Sequence, residues 1–301
     1  MKISYVKRND IDTKKWDSCI AHSVNGIVYA FSWYLDIVAE KWDALIAEDY
    51  QAVFPLVFNS KYGIDYIYQP YFTQQLGLFS VGPISPNLVS KFLDAIPQNF
   101  RYISIQLNTF TKVSYPSAKI ATRVTYHLDL IEPYPVLSSR FSTNTKRNIS
   151  KAVANSITIM KGLSAFQILE LKRNSMVTPL RQKHFKILNR LITQSIGNGV
   201  GELYGAYTAR NELCAGALFL KSYGKAIYLL ASSTNEGREH RAMFALIDHY
   251  INQNSESHLI LDFEGSNIES VAKFYAGFGA KPCEYSQITI NRLPWFLKIF
   301  Q

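Results

Sequence analysis

Residues 258–280 read HLILDFEGSNIESVAKFYAGFGA and carry the signals that decide the fold. The apolar segment His258–Phe263 predicts a buried strand, and the apolar spacing after it predicts a helix from 267 to about 278. Ser266 is a suitable N-cap for this helix, and Gly279 is a suitable residue to end it. We therefore expect a strand that leads through an acidic turn directly into a helix.

Outward from this stretch, the second half of the chain alternates helical and strand patterns. Helices are expected at 142–154 and 165–176, then one ending at Gly197 and a long one over 237–253; strands are expected at 157–161, 202–208, 212–221, 225–231 and 284–290. A three-strand meander followed by a long helix departs from the regular β–α alternation of Rossmann folds and TIM barrels. The pattern indicates an α/β (α+β) protein with a mixed sheet.

The first half repeats part of this order, with strand, helix and meander patterns over 2–68. Three identities align at one offset: Phe58 with Phe219, Tyr62 with Tyr223, and Gly63 with Gly224. We therefore expect a tandem duplication. The proline-rich break at 132–135 predicts the boundary between an N-terminal lobe, 1–135, and a C-terminal lobe, 136–301.

The composition is that of a folded protein with an excess of positive charge. Of the 301 residues 48% are hydrophobic, and the net charge of +9 favours an anionic partner, unless the cations are simply scattered for solubility. The three cysteines and six histidines show no CxxC, HExxH or HxH spacing, so we expect no metal site. Without a secretory signal or an apolar run long enough to span a bilayer, the expected location is the cytoplasm.

Three passages carry a resemblance to a known family. The basic segment Phe141–Ile149, the hairpin Ala215–Ser233, and the DFEGS and GFGA sequences within 262–280 are similar to passages of the GNAT (GCN5-related N-acetyltransferase) superfamily. The whole chain resembles the FemABX-like branch, in which two GNAT-type lobes are fused. This resemblance, which is best over 130–290, implies a tandem GNAT-like (acyl-CoA N-acyltransferase) fold with the donor side in the C-terminal lobe.

The donor site is expected where the meander leads into the long helix, because the first-turn N–H groups of a helix attract pyrophosphate. The resemblance also implies that N–H groups of the preceding strand stabilise the oxyanion. The residues expected to contact the donor, with acyl-CoA as the leading candidate, are Leu230, Ser232, Gly237, Arg238, Arg241 and Ala242. The segment Glu236–Ala242 departs from the Q/R-x-x-G-x-G/A spacing of the superfamily, so a lost donor site is an open alternative.

Two side chains near the end of the strand predicted at 258–263 are candidates for proton transfer. Glu264 lies just past this strand, where the cleft is expected to open, and is the candidate base for an amine nucleophile. Its alternative role is to brace the next helix. Tyr275 is the candidate proton donor to the leaving group, and its alternative role is packing on an aromatic helix face.

The acceptor is expected to bind the first lobe. Residues 66–77, YIYQPYFTQQLG, interleave aromatic rings with amides, a mixture typical of clefts that bind sugars, peptides or nucleotides. We expect substrate contacts from Tyr71, Gln74 and Gln75, with Trp33 as a further wall of a groove between the lobes; a packed loop with a structural role is the alternative. Arg147 of the basic helix is the remaining substrate-binding candidate.

These observations predict an enzyme, a GNAT-type N-acyltransferase that moves an acyl group from a thioester to a small-molecule or peptide-like amine. The close alternative is a FemABX-like aminoacyltransferase that uses aminoacyl-tRNA and acts on a cell-wall peptide precursor. The basic helix and the net charge favour tRNA as a partner in that case. A non-catalytic binding module is the third alternative, and the sequence leaves the acyl group, the acceptor and the oligomeric state open.

Overall fold

The computed structural model describes residues 1–175, 181–265 and 268–294. The chain divides into two compact units, Met1–Arg123 together with the segment from Glu284 onward, and Val124–Cys283. The lobes 1–135 and 136–301 were expected from the proline-rich break rather than from compactness, and they stay a prediction, as does the tandem duplication. In the described part of the chain, no helix has both the length and the apolar character needed to cross a membrane.

In chain order, the elements up to residue 129 are β1 (Ile3–Val6), α1 (Thr13–His22), α2 (Ser32–Val38), β2 (Trp42–Ala47), β3 (Ala52–Lys61), β4 (Ile64–Ile67), β5 (Phe79–Ser80), α3 (Pro86–Asp94), β6 (Phe100–Gln106) and β7 (Lys119–Asp129). They continue with α4 (Tyr134–Ser139), α5 (Thr143–Ala154), β8 (Thr158–Lys161), α6 (Ala165–Ser175), α7 (Gln182–Gly197), β9 (Gly201–Tyr207), β10 (Leu213–Ser222), β11 (Lys225–Ser233), α8 (Asn235–Glu239), α9 (Ala242–Asn254), β12 (Ile260–Asp262), α10 (Glu269–Gly277) and β13 (Lys281–Asn291).

Each unit is built on mixed β-pairing. In the first unit the strand order is β1-β2-β3-β4-β6-β13 with β5 on β3, and only the β4–β6 pair is parallel among the described pairs. In the second unit the order is β7-β12-β11-β10-β9-β8, and here the β11–β12 pair is parallel. The core of the second unit lies between this sheet and α9, where the Phe219 and Tyr250 rings stack with centroids 3.6 Å apart.

The local helix signals were read correctly where they were strong. Helix α5 begins after Ser142, whose hydroxyl accepts the N–H of Thr145, and α7 ends at Gly197 as predicted. The expected long helix over 237–253 was wrong, since α8 and α9 are separate helices. The reason is Arg241, whose left-handed backbone (φ 61°) interrupts the helical hydrogen-bond ladder between them.

Other expectations failed because they depended on tertiary packing. In α6, Phe166 is 71% exposed, whereas Ile168 and Leu171 are buried. No elements were predicted over 69–135, where α3, β6, β7 and the start of α4 lie. Pro135 does not break structure but sits in the first turn of α4, where its missing N–H is tolerated. The predicted cap Ser266 lies outside the described residues.

Candidate functional site

The parallel pair β11–β12 separates at one end. Its register joins Lys225 to Ile260 and ends with Ile227 opposite Asp262. Strand β12 has three residues and stops there, whereas β11 has nine and continues to Ser233. The second half of β11 therefore has a side that pairing with β12 leaves open.

A bulge determines which main-chain groups face this open side. Leu218 pairs with Leu230 but Phe219 pairs with Tyr228, so Leu229 is an extra residue in β11. Past the bulge, the Thr234 N–H donates to the Cys214 carbonyl at 2.9 Å.

Hydrogen-bonded pairs alternate along an antiparallel ladder, so the register fixes the direction of each main-chain group. Because Thr234 and Cys214 are hydrogen-bonded, every second pair before them is hydrogen-bonded as well. Leu230 and Ser232 therefore direct their main-chain N–H and C=O groups to β10. Ala231 and Ser233 direct theirs away from β10, to the open side. Donor contacts by Leu230 and Ser232 stay a prediction, whereas the main-chain groups on the open side are those of Ala231 and Ser233.

Two cationic side chains lie along the open edge. The Arg238 guanidinium donates to the Ser233 carbonyl at 2.8 Å, and the Lys172 ammonium of α6 lies 3.5 Å from the Ala231 carbonyl oxygen. Burial lowers the pKa of Lys172. Arg238 was predicted as a donor-contacting residue, whereas Lys172 was not, because on a helix its residue type reads as ordinary solvent-facing surface.

The start of α8 explains two more of the predicted residues. The Thr234 hydroxyl caps this short helix by accepting the Gly237 N–H at 3.0 Å. A Cβ on Gly237 would collide with the main-chain carbonyl of Cys214, so glycine is required here for close packing. Ala242 is fully buried at the start of α9, while Arg241 before it is exposed. Gly237 and Ala242 therefore serve packing, and the two arginines supply charge.

The buried carboxylate of Asp262 organises the end of β12. It accepts hydrogen bonds from the Thr125 hydroxyl at 2.5 Å and the Glu264 N–H at 3.0 Å, and it bonds the His127 imidazole at 3.1 Å. Burial by itself raises the pKa of Asp262, but the His127 contact, the charge of Lys225 and the Thr125 bond bring it below the usual range. The hydrogen-bonding capacity of the buried Asp262 carboxylate is thus satisfied within the protein.

Glu264 and Tyr275 are brought together just past this carboxylate. Glu264 is half-buried and has a left-handed backbone with φ 54°. Burial raises the pKa of Tyr275, and the charges of Glu264 and Asp262 raise it further, so this phenol keeps its proton at neutral pH. The Tyr275 ring stacks on Phe263 at 4.8 Å and meets the Tyr228 ring of β11 edge-on at 6.3 Å. Both predicted proton-transfer residues therefore lie beside the strand that opens.

The predicted acceptor residues lie in the first unit and differ in access. The side chain of Tyr71 is 59% exposed. Trp33 is partly exposed, and the Trp33 ring meets the Tyr34 ring edge-on. Gln75 is fully buried: its amide oxygen accepts the Thr109 N–H at 3.0 Å, and its amide nitrogen donates to Gln74 at 2.7 Å. Gln75 therefore holds the loop together, and a direct contact between it and an acceptor is not supported.

Arg147 lies on the exposed side of α5, where its guanidinium donates to the Asn144 side chain at 3.0 Å. Lys146 and Lys151 of the same helix are also exposed. Within residues 1–175, 181–265 and 268–294, no group of three His, Cys, Asp or Glu side chains is placed to hold a metal ion.

No protein-family profile and no curated protein sequence matches this chain. Several solved structures do match it. FemX superposes with a TM-score of 0.66 at 13% identity over 100% of both chains. L-PGS from Bacillus licheniformis gives 0.55 at 10% identity over 96% of this chain and 94% of that one. A protein of unknown function from Bacteroides thetaiotaomicron gives 0.59 at 9% identity, covering 96% and 99%. At such identities the likeness concerns the fold alone, and the chain has the fold of FemX.

Proposed function

We propose that this protein is an N-acyltransferase that joins an activated acyl group to an amine and binds the acyl donor along the open edge of β11. The observation that carries the proposal is the parting of β11 from β12 past Ile227, with main-chain groups of Ala231 and Ser233 directed to the open side. Acyl transfer needs hydrogen-bond donors fixed in advance where the oxyanion develops, and strand N–H groups meet that need.

The side chains past β12 fit the proton transfers of the reaction. Glu264 is half-buried beside the site and is proposed to take the proton of the attacking amine. Tyr275 retains its proton at neutral pH because burial and nearby carboxylates raise its pKa, and it is proposed to protonate the leaving group. On the acceptor side, the exposed ring of Tyr71 and the partly exposed Gln74 and Trp33 are proposed to bind a small-molecule or peptide-like amine.

An acyl thioester, with acyl-CoA first, is the proposed donor. Arg238 and Arg241 are exposed at the segment that joins β11 to α9, where they are suited to the phosphates of such a donor. The proposal does not depend on the Q/R-x-x-G-x-G/A spacing, since these side chains can neutralise phosphate without a glycine-rich loop.

An aminoacyl ester of tRNA is the second candidate donor, and a specific observation favours it. Lys146, Arg147 and Lys151 form an exposed cationic row on α5, which suits a nucleic-acid backbone. The similar solved structures include FemX and a domain of a putative lysylphosphatidylglycerol synthetase from Agrobacterium fabrum, the latter with a TM-score of 0.53 at 8% identity.

Thermal melting distinguishes the donors. Acetyl-CoA at about a hundredfold excess over its Kd is expected to stabilise the folded protein by roughly 2.7 kcal/mol, and coenzyme A should do nearly as well. If only tRNA binds, with an affinity that falls steeply with salt and with Arg147→Ala, the aminoacyl donor replaces acyl-CoA. If neither binds, the proposed transfer is wrong and a non-catalytic binding module is favoured.

A further inference from the structure

Lys172 is held in a defined position at the open edge of β11. It lies on α6 next to Leu171, which is buried. One turn on, the Ser175 hydroxyl shares a hydrogen bond with the Ser232 hydroxyl of β11, and the Ser232 hydroxyl also donates to the Leu171 carbonyl at 3.3 Å. These contacts fix the helix to the strand on both sides of Lys172, so its ammonium group is directed at the strand edge rather than free in solvent.

Within the described part of the chain, no carboxylate pairs with the Lys172 ammonium group. Lys161 is paired with Glu202 at 2.7 Å, and for Lys225, whose pKa burial lowers, the charge of Asp262 acts in the opposite direction. For Lys172, by contrast, burial is the one influence on its pKa among the described residues. A half-buried cation of this kind is characteristic of a site where the ligand brings the negative charge.

The position of Lys172 coincides with the proposed oxyanion donors. The N–H and C=O of one strand residue point to the same side of the strand, so the Ala231 N–H lies on the edge where Lys172 meets the Ala231 carbonyl. The carbonyl contact, at 3.5 Å, is long for a hydrogen bond and uses one of the three ammonium protons at most.

We propose that Lys172 is a catalytic residue that binds the oxyanion of the transferred acyl group together with the Ala231 N–H. The inference rests on the proposed acyl transfer and adds a charged side chain to its site. The amine nitrogen attacks the acyl carbon and forms the C–N bond, while the C=O π pair moves to the oxygen, which becomes the oxyanion held by Lys172. The pair then returns, the C=O re-forms and the C–S bond breaks (C–O for an ester donor). One proton passes overall from the amine to the departing sulfur or oxygen.

The test compares Lys172→Met, Lys172→Arg and a control, Lys186→Met, an exposed position on α7. Hydroxylamine serves as a generic amine, with acetyl-CoA or an aminoacyl-tRNA as donor, and the rate of hydroxamate formation is measured above the uncatalysed rate. Removal of one oxyanion donor is expected to reduce kcat by about 10²-fold to 10³-fold. The KM for the donor should change by less than about threefold, since the interaction belongs to the transition state.

Lys172→Arg is expected to recover at least about tenfold of this loss because it restores the positive charge. Should the Met variant not fold, Lys172→Gln keeps the test open, since it also removes the charge. An active wild type with unchanged kcat in Lys172→Met, or with a loss confined to KM, overturns this inference and leaves the acyl transfer standing. If the wild type forms no hydroxamate from either donor, both the inference about Lys172 and the proposed acyl transfer are wrong.

Discussion

The Asp262 carboxylate accepts a hydrogen bond from the main-chain N–H of Glu264 at 3.0 Å. This bond closes the turn past β12 and supports the left-handed backbone of Glu264, a conformation that non-glycine residues adopt at a cost. The buried aspartate therefore determines the direction in which the proposed base leaves the strand.

Asp262→Asn is expected to destabilise the protein by about 3 kcal/mol, because it breaks a buried, charge-assisted network. The pKa of Asp262 is lowered in the folded state, so its contribution is present above the ordinary Asp pKa of about 3.9 and is lost as the pH falls through the folded value. At about pH 7 the Tm of the variant should lie below that of the wild type by the full amount, and near pH 3 the difference in Tm should be smaller. Asp129→Asn, at an exposed position, is the control; equal melting of wild type and Asp262→Asn would contradict the assignment.

Glu264→Gln is expected to reduce turnover by about 10²-fold or more, since it removes the proposed base while keeping the shape of the side chain. Donor binding, measured by thermal stabilisation, should stay the same. Glu264→Gly should also lose turnover but melt higher, because glycine relieves about 1 kcal/mol of left-handed strain. The control is Glu256→Gly, which relieves a similar strain at φ 58° without touching turnover. A Gln variant with the wild-type rate removes Glu264 as the base.

Gly237→Ala is expected to destabilise the protein by roughly 1–3 kcal/mol, because the added methyl group meets the Cys214 main-chain carbonyl. Gly197→Ala is the matched control: a Cβ there has nothing within 4 Å, and alanine favours a helix by up to about 1 kcal/mol over glycine. Urea unfolding of both variants measures the difference. If the two alanines behave alike, the close approach of α8 to β10 is wrong.

Lys172→Met is expected to raise the Tm, because the folded wild type holds a cation that burial disfavours. The folded-state pKa of Lys172 is lowered, so the penalty is complete below that pKa and disappears as the pH rises toward the unfolded value of about 10.4. The gain in Tm should therefore be largest near neutral pH and shrink toward about pH 10 in differential scanning fluorimetry. Lys186→Met should show no gain at either pH, and a Tm loss in Lys172→Met would mean that the charge is compensated.

Local signals in the sequence predicted the second unit well and the site only in part. Ser142 is the N-cap of α5 and Gly197 is the last residue of α7; such signals act over a single turn, so the start of α5 and the end of α7 followed from them. Glu264 and Tyr275 were found because the end of one strand and the following helix are adjacent in sequence. Their proximity required only the strand–helix order.

The remaining features depend on contacts between distant segments. The bulge at Leu229 exists only in the register between β10 and β11, and this register directs the main-chain groups of Ala231 and Ser233 to the open edge. The role of Lys172 follows from its approach to β11, some sixty positions on (from 172 to 231), and nothing in its helical spacing shows that it is half-buried. The left-handed backbone at position 241 likewise could not be predicted, because the residue there is an arginine and not a glycine.

The most direct test of acyl transfer at the open edge of β11 measures amide formation by the wild type and by the Ala231→Pro variant. Proline removes the Ala231 N–H, which faces the open edge and takes no part in the ladder with β10, so the strand should be retained. Each protein receives isotope-labelled acetyl-CoA or aminoacyl-tRNA with a panel of amines, and mass spectrometry quantifies the labelled amide. We predict labelled amide from the wild type and about 10²-fold less from a folded Ala231→Pro variant. Equal rates in the two proteins, or no labelled amide from the wild type with either donor, would contradict acyl transfer at this edge.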